Sequence, residues 1–388
     1  MMISEKIKQI DRQLIELIGE RIKLLERSDG SYPLENPELI PLLEQAGIPE
    51  FVWKNLAIDC AASLTIKASS STLNNRRSKR ITIIGGKGMM GRFFTARLSA
   101  AGHDVKILES HDWERAEQLL NSADLVLVCV PIECSIEVIK KASKYLSPDT
   151  ALADIASIKS PIVKAMLEYH NGPVMGLHPM FGPQIKSFLG QKVIVCSGRE
   201  DRAFQWLLDL IKNEGGKLIF ATPEEHDRMM VDIQAIRNFT TFSMGVFLSE
   251  EGIDINRSLD FSSPLYRHNI AVVTRLFAQS APLIVDIILA TPERHQAISK
   301  LANTYSRLAE LVNQGDRDGL ILEFQRAQNF FARSIPCGLK ESTYIINSLN
   351  NFLAAQEQEQ KQKYQFSLNN CPSNFTKISS QKTPALSN

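Results

Sequence analysis

The chain has 388 residues, 44% of them apolar, which is enough for two or three packed domains because single cores seldom grow past about 250 residues. Lysine plus arginine total 44 against 43 acidic residues, so no global field draws the protein onto nucleic acid or an anionic membrane, and small-molecule work is expected. The six cysteines (Cys60, Cys129, Cys134, Cys196, Cys337, Cys371) are scattered without a Cys-x-x-Cys pair or zinc-ligand spacing. They read as reduced thiols in a cytoplasmic protein with no metal site. No apolar run approaches the roughly 20 residues of a membrane span, and residues 1 to 30 do not read as a signal peptide.

In chain order, residues 4 to 27 place Ile7, Ile10, Leu14, Leu17, Ile18, Leu24 and Leu25 on one helical stripe opposite charges, which predicts an amphipathic helix with a partner. A Gly/Pro-bearing connection leads to helices at about 38 to 46 and 49 to 67. We expect a helical domain over 1–67 and a serine-rich linker over 68–80 (ASSSTLNNRRSKR, from Ala68). From Ile81 to 222, the runs ITIIGG, DVKILES, DLVLVCVP, ALADIAS, GPVMGLHP and KVIVCSG alternate with helical patterns. That texture predicts a parallel, doubly wound α/β domain of Rossmann type. Long helical patterns then run over 223–356 as an all-helical domain, and the polar, low-complexity tail 357–388 is expected to be disordered.

The run ITIIGGKGMMGRFFTARLSAAG is a buried strand, then Gly86-x-Gly88-x-x-Gly91, then a helix. Gly86 permits the tight turn, Gly88 lets backbone approach a pyrophosphate and Gly91 allows close helix–strand packing. The diphosphate sits on the helix N-terminus, at Met89 and Met90. A second strand ends in Glu109, near the roughly 20-residue spacing at which an acid accepts from the ribose hydroxyls and repels a 2′-phosphate. NAD is therefore expected over NADP, although Arg92 could touch phosphate in either cofactor. A third strand ends in Val130-Pro131, an apolar wall for the nicotinamide side.

Ligands of open parallel sheets lie beyond the carboxyl ends of the strands. There, ALADIASIKSP ends in Ser157 and Lys159, and GPVMGLHPMFGP carries His178 between Gly176 and Pro179. A histidine in so rigid a turn is a candidate general base, its ordinary pKa being near working pH.

The segments IIGGKGMMGR, ILESHDWERA, DIASIKSP, GLHPMFGP, EHDRMM with IQAIRNF, and SSPLYR with RLFAQ resemble the prephenate dehydrogenases, specifically the form fused to an N-terminal chorismate mutase domain. The resemblance covers roughly residues 81 to 345. It implies a dinucleotide-binding domain followed by an all-helical dimerisation domain, hence a homodimer, preceded by a short helical mutase-like segment. It also implies that His178 is the catalytic histidine, that Ser157 hydrogen-bonds it and that Arg275 binds substrate. Arg267 also falls in a matching motif, either as a substrate ligand or as a residue that holds the helical domain together. Lys159 resembles a lysine beside the serine strand, its alternative being a solvated surface charge. His226 matches a histidine near the substrate side chain, or else caps or fills a helix, and Gln234 lies two turns later. The implied reaction is oxidative decarboxylation of prephenate to 4-hydroxyphenylpyruvate with NAD, in tyrosine biosynthesis. The alternatives are an arogenate dehydrogenase forming tyrosine, a bifunctional enzyme that retains mutase activity, a different dehydrogenase on the same scaffold, and a non-catalytic metabolite sensor.

The first helix resembles the mutase helix through IDRQLIELIGERIKLL, with Arg21 on its apolar stripe, either as a substrate ligand or as a snorkelling side chain. Ser4 stands where the family has an arginine, and after Glu26 the chain skips the segment bearing the lysine and the Arg-Glu pair. Because that catalysis is electrostatic, the expectation is a relic without mutase activity.

Overall fold

Short runs of Ile, Val and Leu bounded by Gly, Pro or Asp favour strands covered on both faces, and such strands build the centre of this protein. The computed structural model describes residues 2–28, 36–66 and 78–369. It divides into two compact units, one within residues 1–235 and 285–294, the other within 236–284 and 295–388.

The first unit holds a seven-stranded sheet of β1 (Arg80–Ile84), β2 (Asp104–Leu108), β3 (Leu125–Val128), β4 (Ala151–Asp154), β5 (Val174–Pro179), β6 (Lys192–Arg199) and β7 (Lys217–Ala221), in the order β2-β1-β3-β4-β5-β6-β7. β1 to β5 are mutually parallel, as alternating strands and helices predict. β6 departs from the all-parallel expectation by running antiparallel to β5, because the chain from Met180 to Gln191 contains no crossover helix to return it to the starting end. β7, parallel to β6, is the one strand the apolar runs did not announce. It is an edge strand with Phe220 exposed, so it lacks the unbroken buried run of the central strands.

Register aligns the carboxyl ends: Ile84 pairs with Val128, Val128 with Asp154 and Asp154 with Gly176. The strand order reverses between β2 and β3 on either side of β1, the place where open α/β sheets bind ligands. One face packs Phe93, Phe94, Phe188 and Phe204 against the sheet, with Phe93 and Phe188 edge to face at 5.0 Å. The other packs Leu120, Ile139, Ile162 and Met166. Each such side chain contributes about 1.5–3 kcal/mol on burial, and together they hold rigid the loops that carry the chemistry.

The N-terminal helices span Met2–Arg27, Ile40–Gln45 and Glu50–Ser63. The Arg21 guanidinium lies 5.2 Å from the centroid of the Trp53 ring, a cation–π contact. The apolar stripe remains open: Ile10 is 54%, Leu17 61% and Leu24 64% exposed. Of the expected linker, residues 68–77 lie outside the described residues.

The second unit is helical among its described residues, including Arg237–Glu250, Pro264–Phe277, Arg317–Phe331 and Ile335–Asn369. Gly245 permits the close approach of Phe277, since a Cβ there would lie 2.0 Å from its ring. The last helix runs through residues 357–369, which the sequence reading assigned to a disordered tail. Low complexity concealed helix propensity: this stretch is rich in Gln, Glu and Lys, good helix formers, and Glu359 pairs with Lys363 one turn on. Residues 370–388 of that tail lie outside the described residues. No single helix among the described residues is long and apolar enough to cross a membrane.

Candidate active site

The glycine turn forms between β1 and the helix Met89–Ala100. Gly85 takes φ +79°, and a Cβ there would stand 2.5 Å from the Cys129 carbonyl oxygen. A Cβ on Gly91 would fall 2.2 Å from the Gly85 oxygen and 2.7 Å from the Gly86 Cα, and one on Gly86 would meet Ile107. Gly88 differs, because its nearest neighbour would be the Gly85 oxygen at 3.2 Å. It caps the helix without any side-chain bond to the first N–H groups, which leaves the helix start at Met89 and Met90 open to an anion. Glu109, one residue past β2, accepts from the backbone N–H of Lys87 at 2.7 Å, so the acid faces the glycine turn. Val130 and Pro131 follow β3, and Pro131 caps the helix Ile132–Ala142. These residues fit a dinucleotide, since the close contacts demand glycine and the helix N-terminus is free of protein ligands.

His178 is the penultimate residue of β5, 4% exposed. Its Nδ1 lies 2.7 Å from Nε2 of His226, and its Nε2 lies 3.2 Å from the amide nitrogen of Gln234. His226 in turn holds Asp227 at 2.7 Å through Nδ1. Burial, reinforced by the positive charges of Lys159 and Arg294 and by repulsion from any proton that His226 takes up, pushes the His178 pKa well below its ordinary value, while Asp227 opposes the shift. A neutral imidazole results, ready to accept a proton.

The carboxylate of Asp227 accepts the backbone N–H groups of Lys159 at 2.7 Å and Ser160 at 2.8 Å, at the start of the helix Ser160–Tyr169. Burial disfavours its charge, but the bonds from His226 and from these N–H groups outweigh that and hold the carboxyl at about 2. His226 and Asp227 lie on the helix Pro223–Met230, which Thr222 caps by accepting from Glu225 N–H. A π turn follows at Val231–Ile236. Its extra residue rotates Gln234 back toward the helix face that carries His226, which explains how a residue two turns away reaches His178.

Three expected site residues stand differently from their sequence reading. Ser157 does not hydrogen-bond His178; its buried hydroxyl has no partner, and His226 occupies the Nδ1 position that the serine was expected to serve. Lys159 is neither a surface charge nor an open ligand: it is fully buried, its ammonium bound to Asp154 and to the Leu177 carbonyl. His226 turns both ring nitrogens to protein, so it supports His178 rather than reaching outward. Arg267 and Arg275 both lie on the helix Pro264–Phe277 of the second unit, half-buried and exposed respectively, and neither forms an ion pair with the described residues.

The sequence reading missed Asp227, Asp154 and Arg294. The first had a signal, an acid directly after a histidine in the first turns of a capped helix. Asp154 ends an apolar strand, where an aspartate also reads as a turn residue. Arg294, in PERHQ, reads as an exposed helix start, yet it is fully buried, donating to the carbonyls of Ile287 and, at 3.3 Å, Ser157.

The chain matches the family described as prephenate dehydrogenase, nucleotide-binding domain, over residues 100–220, and the one described as prephenate dehydrogenase, dimerization domain, over residues 222–326. It is 35% identical over 366 residues to the T-protein of Enterobacter agglomerans, which spans 90% of this chain and 97% of that protein. Against the T-protein of Haemophilus influenzae it is 34% identical over 364 residues, with the same shares. Among solved structures, the fold resembles prephenate dehydrogenase from A. aeolicus in complex with hydroxyphenyl propionate and NAD+, with TM-score 0.54 and 20% identity over 67% of this chain and 99% of that one. Identity at this level across nearly the whole length, on a glycine-turn sheet whose β5 carries a buried histidine, places the chain in the prephenate dehydrogenase family, in its T-protein form.

Proposed function

We infer that this protein oxidatively decarboxylates prephenate to 4-hydroxyphenylpyruvate with NAD, a step of tyrosine biosynthesis. The observation that carries the reading is His178, a neutral buried imidazole at the carboxyl edge of the sheet that also carries the glycine turn. Met89, Met90 and Gly88 would hold the diphosphate on a turn that Gly86 and Gly91 allow to close, Glu109 would take the adenosine ribose, and Val130 and Pro131 would line the nicotinamide side. Bound NAD supplies the hydride acceptor.

His178 takes the proton of the ring hydroxyl as that carbon becomes a carbonyl. When the ring carboxylate leaves as carbon dioxide, its bonding pair enters the ring and makes it aromatic. The phenolate oxygen so formed recovers the proton from His178, so the base ends as it began. Arg275 anchors a substrate carboxylate through a bidentate pair, with Arg267 as second cation. The side chain of prephenate differs from that of arogenate only by a keto for an amino group, and the substrate matrix below separates them.

Exposed apolar residues of the helical unit, among them Phe324 at 69% and Phe330 at 82%, support a homodimer built through that unit. The open stripe of the helix Met2–Arg27 supports a structural role for the N-terminal helices in the same dimer, and the absence of the cations that the mutase pocket needs carries the reading that mutase activity is lost. Scattered free cysteines support a cytoplasmic location. The test is a matrix of prephenate and arogenate against NAD and NADP, followed by absorbance of the reduced cofactor. Prephenate with NAD must give the highest kcat/KM, and absence of turnover in all four combinations refutes the reading.

A further inference from the structure

Three polar side chains form one line into His178, and with His226 uncharged and the Gln234 nitrogen turned toward His178, one assignment of their protons fits the line. Asp227, held ionised by two backbone N–H groups, can only accept. His226 Nδ1, 2.7 Å away, must therefore carry a proton toward it. A neutral His226 then has a bare Nε2, which accepts from His178 Nδ1 at 2.7 Å. His178 is left with its lone pair on Nε2, the atom that faces the Gln234 amide donor at 3.2 Å.

The geometry points to Asp227 as a positioning residue for this reaction, acting through His226 to fix the tautomer of His178 so that Nε2 is the atom that takes the substrate's hydroxyl proton and later returns it. The inference rests on His178 being the base. Atoms and electrons balance as in the reaction above: the proton moves from hydroxyl oxygen to Nε2 and back to the same oxygen, and the electron pairs move in the substrate and to NAD. While Nε2 holds the proton, the positive charge spreads along His178 and His226 toward a carboxylate that is already ionised. Gln234, donating to Nε2, occupies the direction from which a hydroxyl approaches, so the π turn that aims it also marks where the substrate's oxygen is received.

The same carboxylate caps the helix Ser160–Tyr169, so Asp227 has a structural duty as well, and the experiment must tell the two apart. Other charged groups around His178 are Lys159, paired with Asp154, and Arg294 from the segment 285–294; both Lys159 and Arg294 disfavour its protonated form. Asp227 favours it, so its loss moves the acid limb of the kcat/KM profile to lower pH.

Asp227→Asn presents an amide to His226 and can reverse the tautomers along the line. We expect kcat to fall on the order of 10²-fold or more, with KM for prephenate and NADH binding changed by less than about threefold, the acid limb lowered, and partial recovery in Asp227→Glu. A merely structural role would lower the melting temperature and leave the limb in place. A folded Asp227→Asn enzyme with wild-type kcat and an unmoved limb overturns the inference. Should that variant fail to fold, ¹⁵N spectra of the imidazole rings in the wild-type protein decide: a protonated Nδ1 with a bare Nε2 on His178 supports the relay, and the opposite tautomer overturns it. His178→Asn is assayed in parallel. Near-normal turnover there removes the base reading and this inference with it, whereas an inactive His178→Asn beside a fully active Asp227→Asn removes the inference alone.

Discussion

Lys159 and Asp154 form an ion pair in which both side chains are wholly buried, and the same ammonium donates to the Leu177 carbonyl one residue before His178. Asp154 also accepts the Ala156 N–H at 2.8 Å, so the pair ties the end of β4, the serine loop and the end of β5 into one polar knot. Lys159→Ala should cost about 3–5 kcal/mol, the usual consequence of leaving a buried charge without its partner. Burial raises the Asp154 carboxyl and Lys159 opposes that, so without Lys159 the folded state holds a proton more tightly than the unfolded chain does. Stability of the variant is then fullest at acid pH and is lost as pH rises through the raised folded value. Urea midpoints measured from pH 5 to pH 8 check both magnitude and slope, and equal deficits across that range would exclude the ion pair as the cause.

The glycine turn separates packing from ligand contact. Gly91→Ala forces a Cβ to within 2.2 Å of backbone that cannot yield, so both stability and NADH affinity should fall. Gly88→Ala makes a tighter-than-usual but milder contact, 3.2 Å to the Gly85 oxygen, so it should destabilise much less than Gly91→Ala while NADH affinity drops roughly tenfold, equivalent to about 1.4 kcal/mol. Fluorescence titration beside thermal melting reads the two effects. Equal NADH affinity in wild type and Gly88→Ala would place the diphosphate elsewhere.

Glu109 points at the turn through its bond to Lys87 N–H, where its charge meets a 2′-phosphate. Glu109→Gln removes that charge at nearly constant shape. The ratio of kcat/KM for NAD over NADP should fall by roughly tenfold or more, since charges a few ångströms apart near a surface interact by several kcal/mol at most. An unchanged ratio would assign cofactor choice to another residue.

His178→Asn should lower turnover by roughly 10²–10⁴-fold, the range for a lost general base, with cofactor binding retained. In the wild-type enzyme the base works unprotonated, and burial lowers its pKa from 6.5, so kcat/KM should stay level down through pH 6.5 and fall only below it. An acid limb centred above pH 7 would contradict the buried environment described for this ring.

Periodicity and local chemistry determined much of this protein. The glycine spacing after an apolar strand, the acid at the end of the next one and the alternation of strands with helices were enough for the nucleotide-binding sheet, because each is a short-range requirement of backbone geometry. His178 was legible for the same reason, as a polar residue in a rigid turn at a strand's carboxyl end. Tertiary structure alone decided what surrounds it. The antiparallel β6 depends on a connection that does not cross over. Nothing in the spacing of Lys159, Asp154 and Arg294 tells that each is fully buried, nor that Asp227, 68 residues from Lys159, caps the next helix. Burial and hydrogen-bond partners are set by which elements meet in space, and a sequence records only the order in which those elements follow one another.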